Sequence, residues 1–167
     1  MTDISIDAFF FDFDGVLADS TPIKIKAFMS LYAEHGPDVR EKVRKYALGG
    51  EGISRVEKIR EAHLKFLGID LGDDELNVIE RRYSSLVVDA VVECDWVPGA
   101  REFLDAHVGK TPLFVISGTP QDEMRRIVER RGMADYFVSV RGSPPRKPPI
   151  FRQLLDDHAL APERTLY

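Results

Sequence analysis

Apolar and polar residues change rhythm twice along this chain. Residues 6–13 form a short, aromatic-rich apolar run that predicts a buried strand, and Gly15 breaks it. From there to about Val92 no segment alternates as a strand does. Four stretches, near residues 23–35, 38–48, 54–67 and 74–91, read instead as helices separated by Gly36, Gly49, Gly50, Gly52 and Gly68. Ser20 or Thr21 ahead of Pro22 marks the first helix start, because a proline at the first helical position gives up no needed hydrogen bond. In the third stretch Ile59, Leu64 and Leu67 are expected to share a core face, with Arg55, Lys58 and Arg60 spread over the others.

After Trp96 the alternation of strands and helices returns. Pro98-Gly99 opens a helix ending near His107, and residues 112–117 (PLFVIS) form a continuous apolar strand. A polar helix is expected from about 121 to 131, then a short strand around 136–140. A proline-rich loop at 142–149 follows, then a helix at about 150–158 and the beginning of a strand at 165–167. This order predicts an α/β fold in which a parallel-sheet core carries an inserted all-helical cap. Residues 1–17 and 96–167 would form the core, and residues 18–95 the cap.

A length of 167 residues suits one compact α/β domain with a modest insertion. The net charge of −5 argues against a nucleic-acid partner, which usually wants a basic face. Cys94 is the only cysteine, so no internal disulfide or Cys/His zinc set is available, and a half-buried apolar role is expected for it. The apolar run near the N-terminus contains two aspartates and is too short to cross a bilayer. A soluble, cytoplasmic protein with no membrane partner is the expectation, and oligomeric state is left open. His35, His63, His107 and His158 have no ligand spacing and are read as surface or satisfied residues, and Trp96 as core beside the hinge of the insertion.

Chemistry enters where the strands end. A parallel sheet binds ligands at the carboxyl ends of its strands. Asp12 and Asp14 fall there after the first strand, Ser117 with Gly118 and Thr119 after PLFVIS, and Lys147 in the loop after the third. Two carboxylates are costly to bury and ill suited to a strand interior, so they call for a chemical reason. Together with a hydroxyl, backbone amides and an ammonium, they suit a phosphoryl group accompanied by a divalent cation. The plainer alternatives are a helix cap for Ser117 and a solvated lysine at Lys147, with Arg146 in its place.

DFDGVLADS, FVISGT and the Lys147 loop, in this order and spacing, resemble the first three motifs of the haloacid dehalogenase superfamily. The helical insertion resembles the cap of its phosphoglycolate phosphatase and β-phosphoglucomutase-like branch. The resemblance implies a Rossmann-like core and a Mg²⁺-dependent phosphatase acting on a small phosphorylated metabolite, phosphoglycolate or a sugar phosphate. It implies Asp12 as nucleophile and Asp14 as acid and base. Mg²⁺ would be held by the Asp12 carboxylate and the Asp14 carbonyl. Ser117 and the Gly118 amide, with Thr119 beside them, would bind phosphoryl oxygens, and Lys147 would neutralise charge. In the segment LGGEGISRVEKI, Ser54, Arg55 and Lys58 would read the leaving group, Arg55 by pairing a second substrate anion. The same resemblance implies a fourth, acidic motif that completes the metal shell, expected beyond Tyr167, since Asp156 and Asp157 fall in a predicted helix. A phosphomutase on the same scaffold, or a phosphate-binding protein without catalysis, are the alternatives.

Overall fold

The computed structural model describes residues 5–49 and 53–167. Its sheet has four strands, β1 (Ala8–Phe11), β2 (Leu113–Pro120), β3 (Ser139–Ser143) and β4 (Thr165–Leu166), in the order β3-β2-β1-β4. Every pairing is parallel, with Phe10 opposite Phe114 and Phe114 opposite Ser139. The fold is α/β, as the alternation predicts. The helices are α1 (Thr21–Ser30), α2 (Pro37–Gly49), α3 (Arg55–Leu67), α4 (Asp73–Glu93), α5 (Ala100–His107), α6 (Gln121–Arg130) and α7 (Lys147–Asp157). None among the described residues is long and apolar enough to cross a membrane.

The unbroken apolar runs of β1 and β2 follow from burial on both faces. Phe10, Phe114 and Ile116 pack against Ile150, Leu154 and Leu155 of α7 on one side. On the other, Leu113 and Val115 join Leu104 of α5 and Met124, Ile127 and Val128 of α6. Phe9 meets Phe103 edge-on with ring centroids 5.0 Å apart.

Helices α1 to α4 all lie between β1 and α5 in the chain, and the segment leaves and rejoins the core at neighbouring points. Ala18 bridges Trp96 in antiparallel fashion, the Asp19 amide donates to the Asp95 carbonyl (2.9 Å), and the Val97 amide to the Leu17 carbonyl (3.1 Å). Arg131 holds the second crossing, donating to the carbonyls of Val91, Val92 and Cys94 at 2.7–3.0 Å with its guanidinium over the Trp96 ring. Trp96 packs against the core here, and Cys94 is half-buried.

Several boundaries differ from the sequence expectation. Helix α1 stops at Ser30 and passes into turns, where residues up to 35 were expected to be helical. Strand β3 starts three residues late because Ala134–Tyr136 forms a 3-10 turn, and the pairing of Val140 with Val115 sets the register. Strand β2 runs past Ser117 to Pro120 with a register irregularity after Ile116. Lys147 is the first residue of α7 rather than part of a loop, since Pro148 and Pro149 fit the first helical turn, where amides have no partner to lose. Gly50 and Gly52 lie outside the described residues.

The face of α3 also differs. Arg55, Ile59, Ala62 and His63 are its buried residues, a spacing of four, three and one that keeps them on one stripe. Ile59 is fully buried and Leu64 is 56% exposed, because a step of five positions turns the helix well away from the core. His63, on the same stripe, is a buried and satisfied histidine, one of the two roles expected for it. Its Nδ1 lies 2.8 Å from the Tyr32 hydroxyl and 3.0 Å from the Ile59 carbonyl. Burial pushes its pKa down, outweighing the Ile59 bond, and His35 adds to the depression.

Replacing Ile59 by Ala is expected to lower the unfolding free energy by about 2–5 kcal/mol. Leu64→Ala should change it by less than about 0.5 kcal/mol, both read by urea denaturation. Because the unfolded chain takes up a proton on His63 before the folded one does, stability should fall as pH drops below about 6.5. The slope of the urea midpoint between neutral and mildly acidic pH measures this, and His63→Gln should flatten it.

Candidate active site

The strand ends bring Asp12, Asp14, Ser117, Gly118, Thr119 and Lys147 to one edge of the sheet. Asp12 follows β1 directly. Its Oδ1 accepts from the Phe13 amide (2.8 Å), and its Oδ2 is paired with Lys147 Nζ across the sheet. Lys147 reaches it because α7 begins there, four positions after the end of β3. The alternative cation, Arg146, points elsewhere, its guanidinium paired to Glu57 of α3 at 2.6 Å.

Asp14 sits in a tight loop closed by the Gly15 amide to the Ala18 carbonyl (2.8 Å) and the Ala18 amide to the Phe13 carbonyl (3.1 Å). Gly15 adopts φ +74°, and a Cβ there would lie 2.6 Å from Thr21 Oγ1, so glycine fits on both counts. Ser20 occupies the N-cap position of α1 but makes no side-chain cap bond. Its hydroxyl donates instead to Asp14 Oδ1 at 2.6 Å. Lys24, one turn into α1, donates to Asp14 Oδ2 (2.6 Å) and to Thr119 Oγ1 (2.7 Å), tying the first strand end to the second. Burial pushes the Asp14 pKa up, but the charge and hydrogen bond of Lys24, aided by Ser20, outweigh it and hold the carboxyl below its usual range.

Ser117 and Thr119 are buried, and the Thr119 amide donates to Ser117 Oγ at 3.1 Å. The serine therefore orders its own strand end and caps no helix, since the N-cap of α6 is Pro120. Gly118 lies under the start of α3: a Cβ there would come within 3.3 Å of the Ile53 carbonyl. Helix α3 is thus seated directly on this loop.

The residues expected to read a leaving group are engaged within the chain. Ser54 is the N-cap of α3 in a capping box, accepting from the Glu57 amide (3.2 Å) while Glu57 accepts from the Ser54 amide (3.1 Å). Lys58 donates to the Ala47 carbonyl (3.0 Å). Arg55 was expected among the outlying faces of α3 and is instead buried, its guanidinium forked onto Glu123 of α6. Its Nη1 donates to Glu123 Oε2 and to Ser84 Oγ, each at 2.8 Å, and its Nη2 to Glu123 Oε1. The helical periodicity puts Arg55 on the stripe of Ile59 and Ala62, and the charge is tolerated there because a carboxylate meets it.

Sequence reasoning missed Ser20, Lys24 and Glu123. Ser20 and Lys24 carry a signal, since four residues apart across a helix start they share one face, turned back toward the loop before the helix. Glu123 carries none, because an acid in the first turn of a helix is accounted for by the helix dipole alone.

A magnesium ion would find two hard oxygens here, the Asp12 carboxylate and the Asp14 carbonyl, which neither loop-closing hydrogen bond uses. No group of three or more His, Cys, Asp or Glu side chains that could hold a metal exists among the described residues. This donor set fits a hard cation that keeps several waters and takes one or two protein oxygens beside a phosphate.

The chain is 28% identical over 134 residues to the 6-phosphogluconate phosphatase of Escherichia coli (strain K12), covering 79% of this chain and 57% of that protein. It is 28% identical over 183 residues to the phosphoglycolate phosphatase of Vibrio vulnificus (strain YJ016), covering 99% of this chain and 76% of the relative. Among solved structures, β-phosphoglucomutase from Clostridium difficile superposes with a TM-score of 0.72 at 21% identity, covering 96% of this chain and 74% of that one. The chain therefore spans little more than half the length of the first of these relatives. The family model for haloacid dehalogenase-like hydrolases matches residues 6–167, from the first strand through the last, and the chain belongs to that family.

Proposed function

We propose that the protein is a phosphoric monoester hydrolase acting on a small phosphorylated metabolite, with Asp12 as nucleophile and residues 18–95 as its cap. The observation that carries this reading is the convergence of Asp12 with Lys147, Asp14 with Lys24, and the Ser117–Thr119 loop at one sheet edge. Two relatives named as phosphatases support it.

In this reading Asp12 attacks phosphorus, the ester P–O bond breaks, and an aspartyl-phosphate forms. Asp14 gives its proton to the leaving oxygen, then takes one from the water that attacks the intermediate and frees phosphate. The Ser117 hydroxyl and the Gly118 and Thr119 backbone face the phosphoryl oxygens, and Lys147 offsets their charge. The Asp12 carboxylate and Asp14 carbonyl would hold Mg²⁺, which when bound supplies further neutralisation of phosphoryl charge. Asp14 as seen, with both oxygens accepting, is in its base form, so its acid role requires that Lys24 release it.

Asp12→Asn is expected to lower turnover of an aryl phosphate by at least about a thousandfold. Retained Mg²⁺-dependent turnover in that variant would remove the assignment. Lys24→Met should raise the Asp14 pKa, because burial then acts without its largest opposing charge. A carboxyl-carbon NMR titration reads the change, and an unmoved Asp14 resonance would show that Lys24 does not govern it.

A further inference from the structure

Arg55 follows directly on Ile53 and Ser54, the residues that lie against Gly118, and the core supplies an acid to meet its buried charge. Helix α3 is seated on the Ser117–Thr119 loop through Ile53 and Ser54, and α6 begins immediately after it. Arg55 and Glu123, the pair that joins these helices, are 7% and 3% exposed, and Ser84 closes the ring by donating to Glu123 Oε2 at 2.5 Å. Below the guanidinium lies the Tyr83 ring, 4.5 Å from its carbon, and the Tyr83 hydroxyl donates to the Lys24 carbonyl (3.2 Å). A second acid, Glu80, stands nearby on α4 with its Oε1 buried and without a hydrogen-bond partner among the described residues.

The other cations at this edge are paired in the same way. Lys147 meets Asp12, Lys24 meets Asp14, and Arg146 meets Glu57. Beyond them, a cleft of about 770 Å³ runs along α1 from Gly15 past Ile25 and Met29, and its Lys26 and Arg40 are exposed to screening solvent. A substrate anion reaching toward Arg55 would meet Glu123 already in the guanidinium fork, with Glu80 behind it.

We propose that Glu123 is a specificity-determining residue. By occupying Arg55 it reserves the space beside α3 for phosphate monoesters whose leaving group is uncharged, a sugar or polyol, and disfavours those carrying a second negative charge. This rests on the phosphatase reading and narrows it. Exclusion works through an unpaired charge rather than through shape, since an added anion there has no cation of its own.

The test compares sorbitol 6-phosphate with 6-phosphogluconate, linear compounds that differ by a hydroxymethyl group against a carboxylate at the far end. The wild-type protein should favour the polyol phosphate in kcat/KM by about tenfold or more, equivalent to about 1.4 kcal/mol. Glu123→Gln frees the guanidinium and should move that ratio about tenfold toward the acid, through KM. The double variant R55M/E123L removes both charges and should keep the preference for the polyol. A wild-type preference for the acid, or a folded Glu123→Gln protein with an unchanged ratio, overturns the proposal. If Glu123→Gln does not fold, the wild type and R55M/E123L decide, a preference for the acid in either one overturning it. If neither compound nor an aryl phosphate is hydrolysed, the phosphatase reading has failed. Calorimetric binding of the two compounds to wild type and Glu123→Gln then decides the charge preference by the same ratios.

Discussion

Parallel pairing of β1 with β2 is the constraint on which the rest of the molecule depends. Strands that run the same way end at the same edge, so Asp12 and Ser117 come to one rim although 105 positions separate them in the chain. Parallel strands also need long crossovers, which bury both sheet faces and leave the rim as the place where polar groups meet solvent. The paired stacking of Phe10 on Phe114, with centroids 4.6 Å apart, fixes the register that sets the two strand ends side by side.

Charge at the rim is organised in pairs that cross the molecule. Lys147 and Asp12 join the third strand's helix to the first strand; Lys24 and Asp14 join the first helix to the loop before it. Arg55 and Glu123, with Glu57 and Arg146, fasten α3 to the core at two points. The buried Arg55–Glu123 pair differs in kind from the solvent-facing ones. Removing one partner of such a pair leaves a charge stranded and typically costs about 3–5 kcal/mol, whereas exposed pairs contribute about 0–1 kcal/mol. Its value lies in fixing where α3 sits over the Ser117–Thr119 loop, which ties the helical segment to the sheet edge beneath it.

The first strand, the four-helix segment and the return to alternation were legible because each rests on local periodicity and on glycine or proline punctuation. That Asp12, Asp14, Ser117 and Lys147 come to one sheet edge was legible as well, since each follows or ends a strand of a sheet expected to be parallel. Boundaries set by partners were not. Strand β3 follows its pairing with β2 rather than its own weakly apolar residues, and Leu64 faces outward because the helix turns past the core at that point.

By itself the sequence determined the α/β architecture, the order of its elements and the motif residues, because these depend on neighbours within a few positions along the chain. Tertiary structure decided which charges meet. Lys24 with Asp14 and Thr119, and Arg55 with Glu123, join residues 10, 95 and 68 positions apart. Electrostatic pairing acts over a few ångströms of space, and a linear pattern carries no record of which distant side chains folding will bring within that range.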